Sequence, residues 1–129
     1  MSLSLSLSLS KMVGFVVTTN PEKARAFYAD VLGFRFERDD GFALAFDANG
    51  TALRVVKAKE HQAPPGTVLG WEVDDIERTG DALVERGARF EHYDLPFMKQ
   101  DARGIWTTNG AKIAGFKDPD GNTLSLSQQ

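Results

Sequence analysis

The stretch GFRFE at residues 33–37 recurs as GARFE at residues 87–91, 54 positions later. Each copy follows a helix pattern, and each helix pattern follows a short apolar strand pattern. A repeated order of elements at a regular spacing is typical of a duplicated structural unit. The repeat therefore predicts a chain built from two copies of one βαβββ module.

The first predicted helix begins after Asn20 and ends at Gly33. Its apolar residues recur at helical spacing and share one face: Ala24, Phe27, Tyr28, Val31 and Leu32. Asparagine favours the position before a helix, Pro21 suits the first turn, and glycine suits the left-handed residue after the last turn. We expect this helix to bury its apolar face.

The second predicted helix ends at Gly87. Its apolar face is formed by Ile76, Leu83 and Val84. Asp74 or Asp75 is expected to cap its start, and Glu77 lies three residues after Asp74, as in a capping box.

Each module continues into a hairpin pattern, DANGTAL at residues 47–53 and DPDGNTL at residues 118–124. Asn-Gly and Asp-Gly are typical of tight turns between strands. These two stretches are 71 positions apart, so the second module carries 17 extra residues, between about His92 and Gly110. Long loops in compact domains are often binding loops. Residues 93–108 are therefore a predicted lid, or else a surface loop whose Phe97 and Trp106 pack down.

The composition is typical of one globular domain, with 129 residues, 42% hydrophobic and 26% charged. The chain has no cysteine, which favours a reducing compartment and predicts a cytoplasmic protein. No run approaches the roughly 20 apolar residues that span a bilayer, so no membrane association is expected. Fifteen basic residues are scattered among eighteen acidic ones, which argues against a nucleic-acid partner.

Residues 1–11 alternate serine and leucine over most of their length. They have neither the positively charged start nor the apolar block of a secretory signal. They are therefore predicted to be a leader or tag-like low-complexity tail. The alternation has the period of a strand, so the tail is expected to lie along a sheet edge or a neighbouring molecule.

Three motifs in order give a family resemblance: AFY followed by VLGF at residues 26–34, VDDI at residues 73–76, and FKDPDGN at residues 116–122. On these residues the chain resembles the glyoxalase/bleomycin resistance protein/dioxygenase superfamily, also called the vicinal oxygen chelate superfamily. The resemblance covers residues 12–128.

The resemblance implies an α+β fold in which two βαβββ modules, residues 12–58 and 66–128, form one domain. Their eight strands would curl into a cupped, incomplete barrel, with the helices outside and a ligand cup inside. Many relatives are homodimers, so a homodimer is expected.

Relatives with chemical activity hold a divalent metal with four His, Glu or Gln side chains from the first and fourth strands of both modules. When each of these four ligand positions is transferred separately to this sequence, they correspond to Val13, Arg54, Val68 and Ser125. Valine has no donor atom, arginine is a permanent cation, and a serine hydroxyl alone is a poor ligand. We therefore expect no metal and no other cofactor.

Strand alternation then predicts which side chains face the cup. They are Val13, Phe15, Val17, Ala52, Arg54, Val56, Val68, Gly70, Glu72, Thr123, Ser125 and Ser127. The intervening residues Leu69, Trp71, Val73, Leu124 and Leu126 are expected to pack against the helices. Arg54 could bind a carboxylate, phosphate or phenolate. Alternatively, Arg54 and Glu72 pair with each other, or reach water at the open end of the cup.

The leading hypothesis is a protein that binds, without a metal, a small apolar or aromatic, possibly anionic molecule. The predicted ligand-binding residues are Phe15, Arg54, Val56, Glu72, His92, Trp106 and Ser125. A second hypothesis is a metal-independent isomerase or lyase that uses Glu72 or His92 as the catalytic base. A third is a structural dimer with a collapsed cup. His61 lies in a polar loop between the modules and is not expected to act on a ligand.

Overall fold

Each half of the chain folds into one mixed four-stranded sheet, as the repeat predicts. The computed structural model describes residues 6–93, 96 and 99–129. Residues 1–5 of the predicted tail, and Asp94, Leu95, Phe97 and Met98 of the predicted lid, lie outside the described residues.

The first sheet contains β1 (Val13–Thr18), β2 (Arg35–Asp39), β3 (Ala43–Ala48) and β4 (Thr51–Lys57). The second contains β5 (Thr67–Glu72), β6 (Trp106–Thr108), β7 (Ala111–Lys117) and β8 (Thr123–Gln128). Their strand orders, β1-β4-β3-β2 and β5-β8-β7-β6, are the same, and in each sheet the first strand of the module runs parallel to the fourth. The predicted pair of βαβββ modules is confirmed, and the sheets stay unclosed, as in a cupped, incomplete barrel.

The two helices, α1 (Pro21–Ala26) and α2 (Ile76–Glu85), begin where the sequence predicts. The Asn20 side chain accepts a hydrogen bond from the Lys23 amide at 3.2 Å. In α2 the cap is Asp75, which accepts from the Arg78 amide at 3.1 Å. Within residues 6–93, 96 and 99–129, no helix is long and apolar enough to cross a membrane.

Beyond α1 the chain makes one turn of π-helix, Phe27–Val31, which the sequence did not predict. The Leu32 amide donates to the Phe27 carbonyl, five residues back, at 3.0 Å. Each turn of a π-helix holds one residue more than a turn of α-helix. The neighbouring residues Phe27 and Tyr28 are both buried, with their rings edge to face at 5.2 Å.

The tail does not form the expected strand in the part that is described. Leu7–Leu9 is a short 3₁₀ turn, and both leucines are exposed. The Ser6 hydroxyl accepts from the Ser8 amide at 3.2 Å, and the Ser10 amide donates to the Leu7 carbonyl at 3.0 Å. Serine side chains that bond nearby backbone compete with extended structure, which accounts for the turn at Leu7–Leu9.

One face of each sheet packs against the helices and forms the core. In β1, β4 and β8 the core residues alternate with half-buried or exposed ones, as strand alternation predicts: Val16, Leu53, Val55, Leu124 and Leu126. Phe27, Tyr28, Ile76 and Leu83 cover them from the helices. Leu69, Trp71 and Val73 of the second module also pack against this core, as expected.

A buried carboxylate, Asp118, joins the two modules. Tyr28 donates its hydroxyl proton to Asp118 Oδ2 at 2.6 Å, and Asn122 Nδ2 donates to the same oxygen at 2.9 Å. Asp118 Oδ1 accepts from the amides of Asp120 and Asn122, each at 2.9 Å. Asn122 Nδ2 also donates to the Val17 carbonyl in β1 at 3.1 Å. A carboxylate with 6% exposure is stable in an interior only when bonded in this way.

Two further bonds reinforce the same turn. The Thr19 amide and hydroxyl donate to Asp120 Oδ1 at 2.7 and 2.9 Å. His61 Nε2 lies 2.7 Å from Asn122 Oδ1, which is an acceptor, so His61 donates from this nitrogen. His61 therefore has a structural role in the turn.

Replacing Tyr28 with phenylalanine tests this junction. The Tyr28→Phe change should lower the free energy of unfolding by about 1.5–3 kcal/mol, because a hydrogen bond to a buried charged group is lost. Urea denaturation of both proteins measures the difference. The matched control is Tyr93→Phe at an exposed tyrosine, which should change stability by less than about 0.5 kcal/mol. Equal effects of the two changes would refute the role of Tyr28.

The same hydroxyl should give stability an alkaline limit. Burial, reinforced by the adjacent Asp118 carboxylate, raises the pKa of Tyr28 well above its ordinary value of 10.0. Above about pH 10 the unfolded phenol loses its proton while the folded one keeps it, so the contribution of Tyr28 falls with rising pH. The wild type should lose up to about 1.4 kcal/mol more per pH unit than Tyr28→Phe. Parallel stability curves from pH 9 to 11 would contradict this.

Candidate functional site

The face of each sheet that the helices leave uncovered, termed the open face, carries the candidate site. In the first sheet the parallel register sets Phe15 beside Arg54 and Val17 beside Val56. Neighbouring positions on paired strands point to the same side, so these four side chains form one patch. Phe15 is 61% exposed, an unusual position for a large aromatic ring. The predicted partners Phe15, Arg54 and Val56 thus lie together.

Arg54 is held by Asp40, in the turn between β2 and β3. Arg54 Nη2 donates to Asp40 Oδ2 at 2.5 Å, and Asp40 Oδ1 accepts from the Phe42 and Ala43 amides, each at 2.9 Å. The hydrogen bond from Arg54, followed by those from the two amides, holds the pKa of Asp40 well below its usual value of 3.8. The guanidinium is therefore anchored at one edge.

The alternative pairing of Arg54 with Glu72 is wrong. Asp40 belongs to the same sheet as Arg54 and its turn brings the carboxylate into contact, whereas Glu72 is an exposed residue of the second sheet. The sequence signal for the real partner was the acidic turn at residues 39–41, which joins two strands of that sheet.

The open face of the second sheet contains a strip of small residues. Gly70, Ser125 and Gly115 are aligned across β5, β8 and β7. A Cβ atom on Gly115 would meet nothing closer than the Leu124 carbonyl oxygen at 3.8 Å. Glycine within a strand often marks a place where another group approaches the backbone. The predicted residue Ser125 therefore lies between two positions without side chains, Gly70 and Gly115, and this strip is termed the hollow.

A row of larger residues borders this hollow. Glu72, Ser127, Ile113 and Trp106 are aligned across the sheet. Tyr93 packs on Trp106 with ring centroids 5.4 Å apart. Trp106 Nε1 is buried and has no hydrogen-bond partner among the residues that the structure describes. Glu72 and Trp106 thus share the open face with Ser125.

Val68 departs from the predicted alternation. The pairing of β5 with β8 shifts between Thr67 and Leu69, so Val68 is the extra residue of an irregularity. Val68 is half-buried and packs against the core. A bulge of this kind breaks the two-residue period on which the prediction relied.

The residues at the implied metal positions do not fit a divalent cation. Val13 and Val68 have no donor atom, Arg54 repels cations and is already bonded to Asp40, and Ser125 offers one hydroxyl. Within the described part of the chain, no three His, Cys, Asp or Glu side chains converge into a group that could hold a metal.

His92 lies apart from the other predicted ligand-binding residues. It borders a cleft that also includes Ile76 and Ala114, whose side chains lie on the helix-covered side of the second sheet. The structure therefore does not bring His92 together with Arg54 or Ser125. The two candidate bases, Glu72 and His92, do not form one acid-base pair.

Comparison with known proteins agrees with this architecture. A family model described as "Glyoxalase/Bleomycin resistance protein/Dioxygenase superfamily" matches residues 11–126. The uncharacterized protein YraH of Bacillus subtilis is 28% identical over 121 residues, which cover 81% of this chain and 87% of that protein.

Two solved structures share the fold. A glyoxalase family protein from Enterococcus faecalis has a TM-score of 0.67 and 23% identity, with 92% of this chain and 95% of that chain covered. A glyoxalase/bleomycin resistance protein/dioxygenase from Alicyclobacillus acidocaldarius has a TM-score of 0.67 and 17% identity, with 93% and 91% covered.

The donor set predicts that chelation will not affect stability. Protein dialysed against EDTA, and then supplied with zinc, manganese or nickel, should keep the melting temperature of untreated protein. A metal that binds the folded protein and is present at 100 times its dissociation constant would add about 2.7 kcal/mol to the free energy of unfolding. This would raise the melting temperature by several degrees. Stoichiometric metal in elemental analysis, together with a lower melting temperature after EDTA, would contradict the donor-set argument.

Proposed function

The chain belongs to the glyoxalase/bleomycin resistance protein/dioxygenase superfamily, and from this membership we propose that it binds a small apolar or aromatic organic anion on its open face without a metal. The observation that carries the proposal is the exposed ring of Phe15 beside the anchored guanidinium of Arg54. A ring and a fixed cation side by side suit a ligand that has an apolar body and an acidic group.

Arg54 supplies the hydrogen-bond donors for recognition. Arginine has five N–H donors, and among the described residues the Arg54 side chain makes one hydrogen bond, to Asp40. The other donors remain for the two oxygens of a carboxylate, which a planar guanidinium can bind as a pair. Because Asp40 already orders the side chain, less conformational entropy is lost when a ligand binds.

Apolar contact supplies the rest of the binding energy. Phe15, Val17 and Val56 form the wall beside Arg54. Burying an exposed side chain of this kind contributes about 1.5–3 kcal/mol. The hollow over Gly115 and Ser125 leaves room for a flat ring on the other sheet.

We propose that a second copy of the chain closes this site. Large apolar side chains are exposed at the start of β1, Met12, Val13 and Phe15, and in the turn between β2 and β3, Phe42. Contiguous exposed apolar residues mark interaction sites on most proteins. A homodimer would cover part of this surface and give the ligand a second wall.

Binding is favoured over catalysis by the distribution of acid-base groups. Glu72 is the carboxylate in its row, and its aligned neighbours Ser127, Ile113 and Trp106 offer no second acid-base group. General acid-base catalysis needs groups within reach of the same reacting atoms. We therefore propose a protein that holds its ligand rather than transforms it.

Thermal unfolding with 2-naphthoate, a flat aromatic carboxylate, tests this proposal. At 100 times the dissociation constant the ligand should add about 2.7 kcal/mol to the wild type. Arg54→Ala should lose most of that gain because the cation is removed. Gly115→Val should lose it because the new side chain fills the hollow, where a Cβ atom meets no steric barrier.

Each variant is compared with its own melting temperature without ligand, so a change in basal stability does not mimic a loss of binding. The matched control is Arg78→Ala, which removes an exposed arginine from α2. The proposal fails if the shift survives in both Arg54→Ala and Gly115→Val, or if Arg78→Ala alone abolishes it. Size-exclusion chromatography with light scattering tests the dimer, and a monomer at all concentrations would refute a site shared between copies.

A further inference from the structure

A second cleft lies on the opposite side of the second sheet, between α2 and the segments at residues 88–92 and 102–105. Its volume is about 460 Å³. Pockets that bind small organic molecules measure about 300–1,000 Å³. Since Ile76 and Ala114 of its lining belong to the core side of the module, this cleft is separate from the open face.

The floor of the cleft is apolar. Ile76, Ala88, Ile105 and Ala114 line it, each with 5% exposure or less. Gly80 adds no side chain at this point of α2, and a Cβ atom there would lie 3.6 Å from the Phe90 ring. The missing side chain leaves the ring uncovered on the cleft side.

Val84 forms one wall of the cleft, and the prediction of its burial was wrong. It was expected on the buried face of α2, but it is 52% exposed and lines the cleft. Leu83 occupies the buried position, and the next residue of a helix lies about 100° further round. An exposed valine above an apolar floor enlarges the surface that a ligand could cover.

Among the described residues, the acidic side chain at the rim of the cleft is paired, whereas Arg89 and His92 are not. Asp81, the acidic residue of the lining, is neutralised by Arg103, whose Nε and Nη2 donate to its two carboxylate oxygens at 2.9 and 3.1 Å. Arg89 and His92 also line the cleft, and neither makes a side-chain hydrogen bond or ion pair with any residue that the structure describes. Among the described residues of the lining, the rim therefore offers Arg89 and His92 to a ligand, and its acidic side chain, Asp81, is already paired.

We propose that this cleft is a second small-molecule site, which takes a flat apolar anion with its ring on the Ile105 and Ala114 floor and its acidic group at Arg89 and His92. The Asp81–Arg103 pair joins the segment at residues 102–105 to α2 at the edge of the cleft. The site does not depend on the open-face proposal, because the cleft is lined by none of these open-face residues: Phe15, Arg54, Val56, Trp106 and Ser125.

The experiment uses 8-anilinonaphthalene-1-sulfonate, an aromatic sulfonate whose emission rises in an apolar site. Titration of the full chain should saturate, and amide chemical-shift mapping should place the largest changes at Gly80, Val84 and Ile105. Val84→Glu, which puts a carboxylate on the exposed wall, should weaken binding about tenfold or more. Arg89→Ala should weaken it by about three- to tenfold.

Arg86→Ala is the matched control, because Arg86 is an exposed arginine three residues before Arg89 that does not line the cleft. It should bind as the wild type does. If Arg54→Ala abolishes binding while Val84→Glu does not, the probe binds on the open face and the second site is refuted. If Val84→Glu converts an oligomer to a monomer, the cleft is an interface between copies and the proposal also fails.

Discussion

The buried Asp118 carboxylate is the constraint on which the arrangement of the two modules depends. Its four hydrogen-bond donors come from Tyr28 of the first module and from Asp120 and Asn122 of the second. Asn122 also reaches the Val17 carbonyl of β1, the strand that carries Phe15. A charge removed from water needs all these partners, so the turn and the helix must meet in one geometry. That geometry ties the first module to the second at this turn.

Given this junction, each sheet uses its two faces differently. The core side buries Val55 and Leu124 under the helices, and the open face keeps Phe15 exposed and Arg54 half-buried. The superfamily fold leaves the open face available, and the residue types on it decide its chemistry. An anchored guanidinium and two valines at the implied metal positions favour recognition of an anion. The 17-residue insertion adds a feature to the other side, since its loop builds one wall of the α2 cleft.

Much of the fold could be predicted from local signals. The duplicated GFRFE stretch, the Asn20 and Asp75 caps and the glycines after the helices all act over a few residues. The features that the sequence did not predict depend on contacts between distant residues or on irregularities of one residue. Tyr28 and Asp118 are 90 positions apart, the π-helical turn and the Val68 irregularity each displace a period by one residue, and Asp40 reaches Arg54 only after a hairpin forms. His92 lies next to the insertion, and the insertion has no hydrophobic periodicity from which its structure could be predicted.

The most direct test of the central claim, recognition of an anion by Arg54 in place of a metal, is a crystal structure grown with 2-naphthoate and excess zinc, with data collected at the zinc absorption edge. We expect the carboxylate to lie within hydrogen-bond distance of the Arg54 guanidinium and the ring to lie against Phe15, with no anomalous peak on the open face. An anomalous peak on that face, coordinated by protein donors and by the ligand, would contradict this claim.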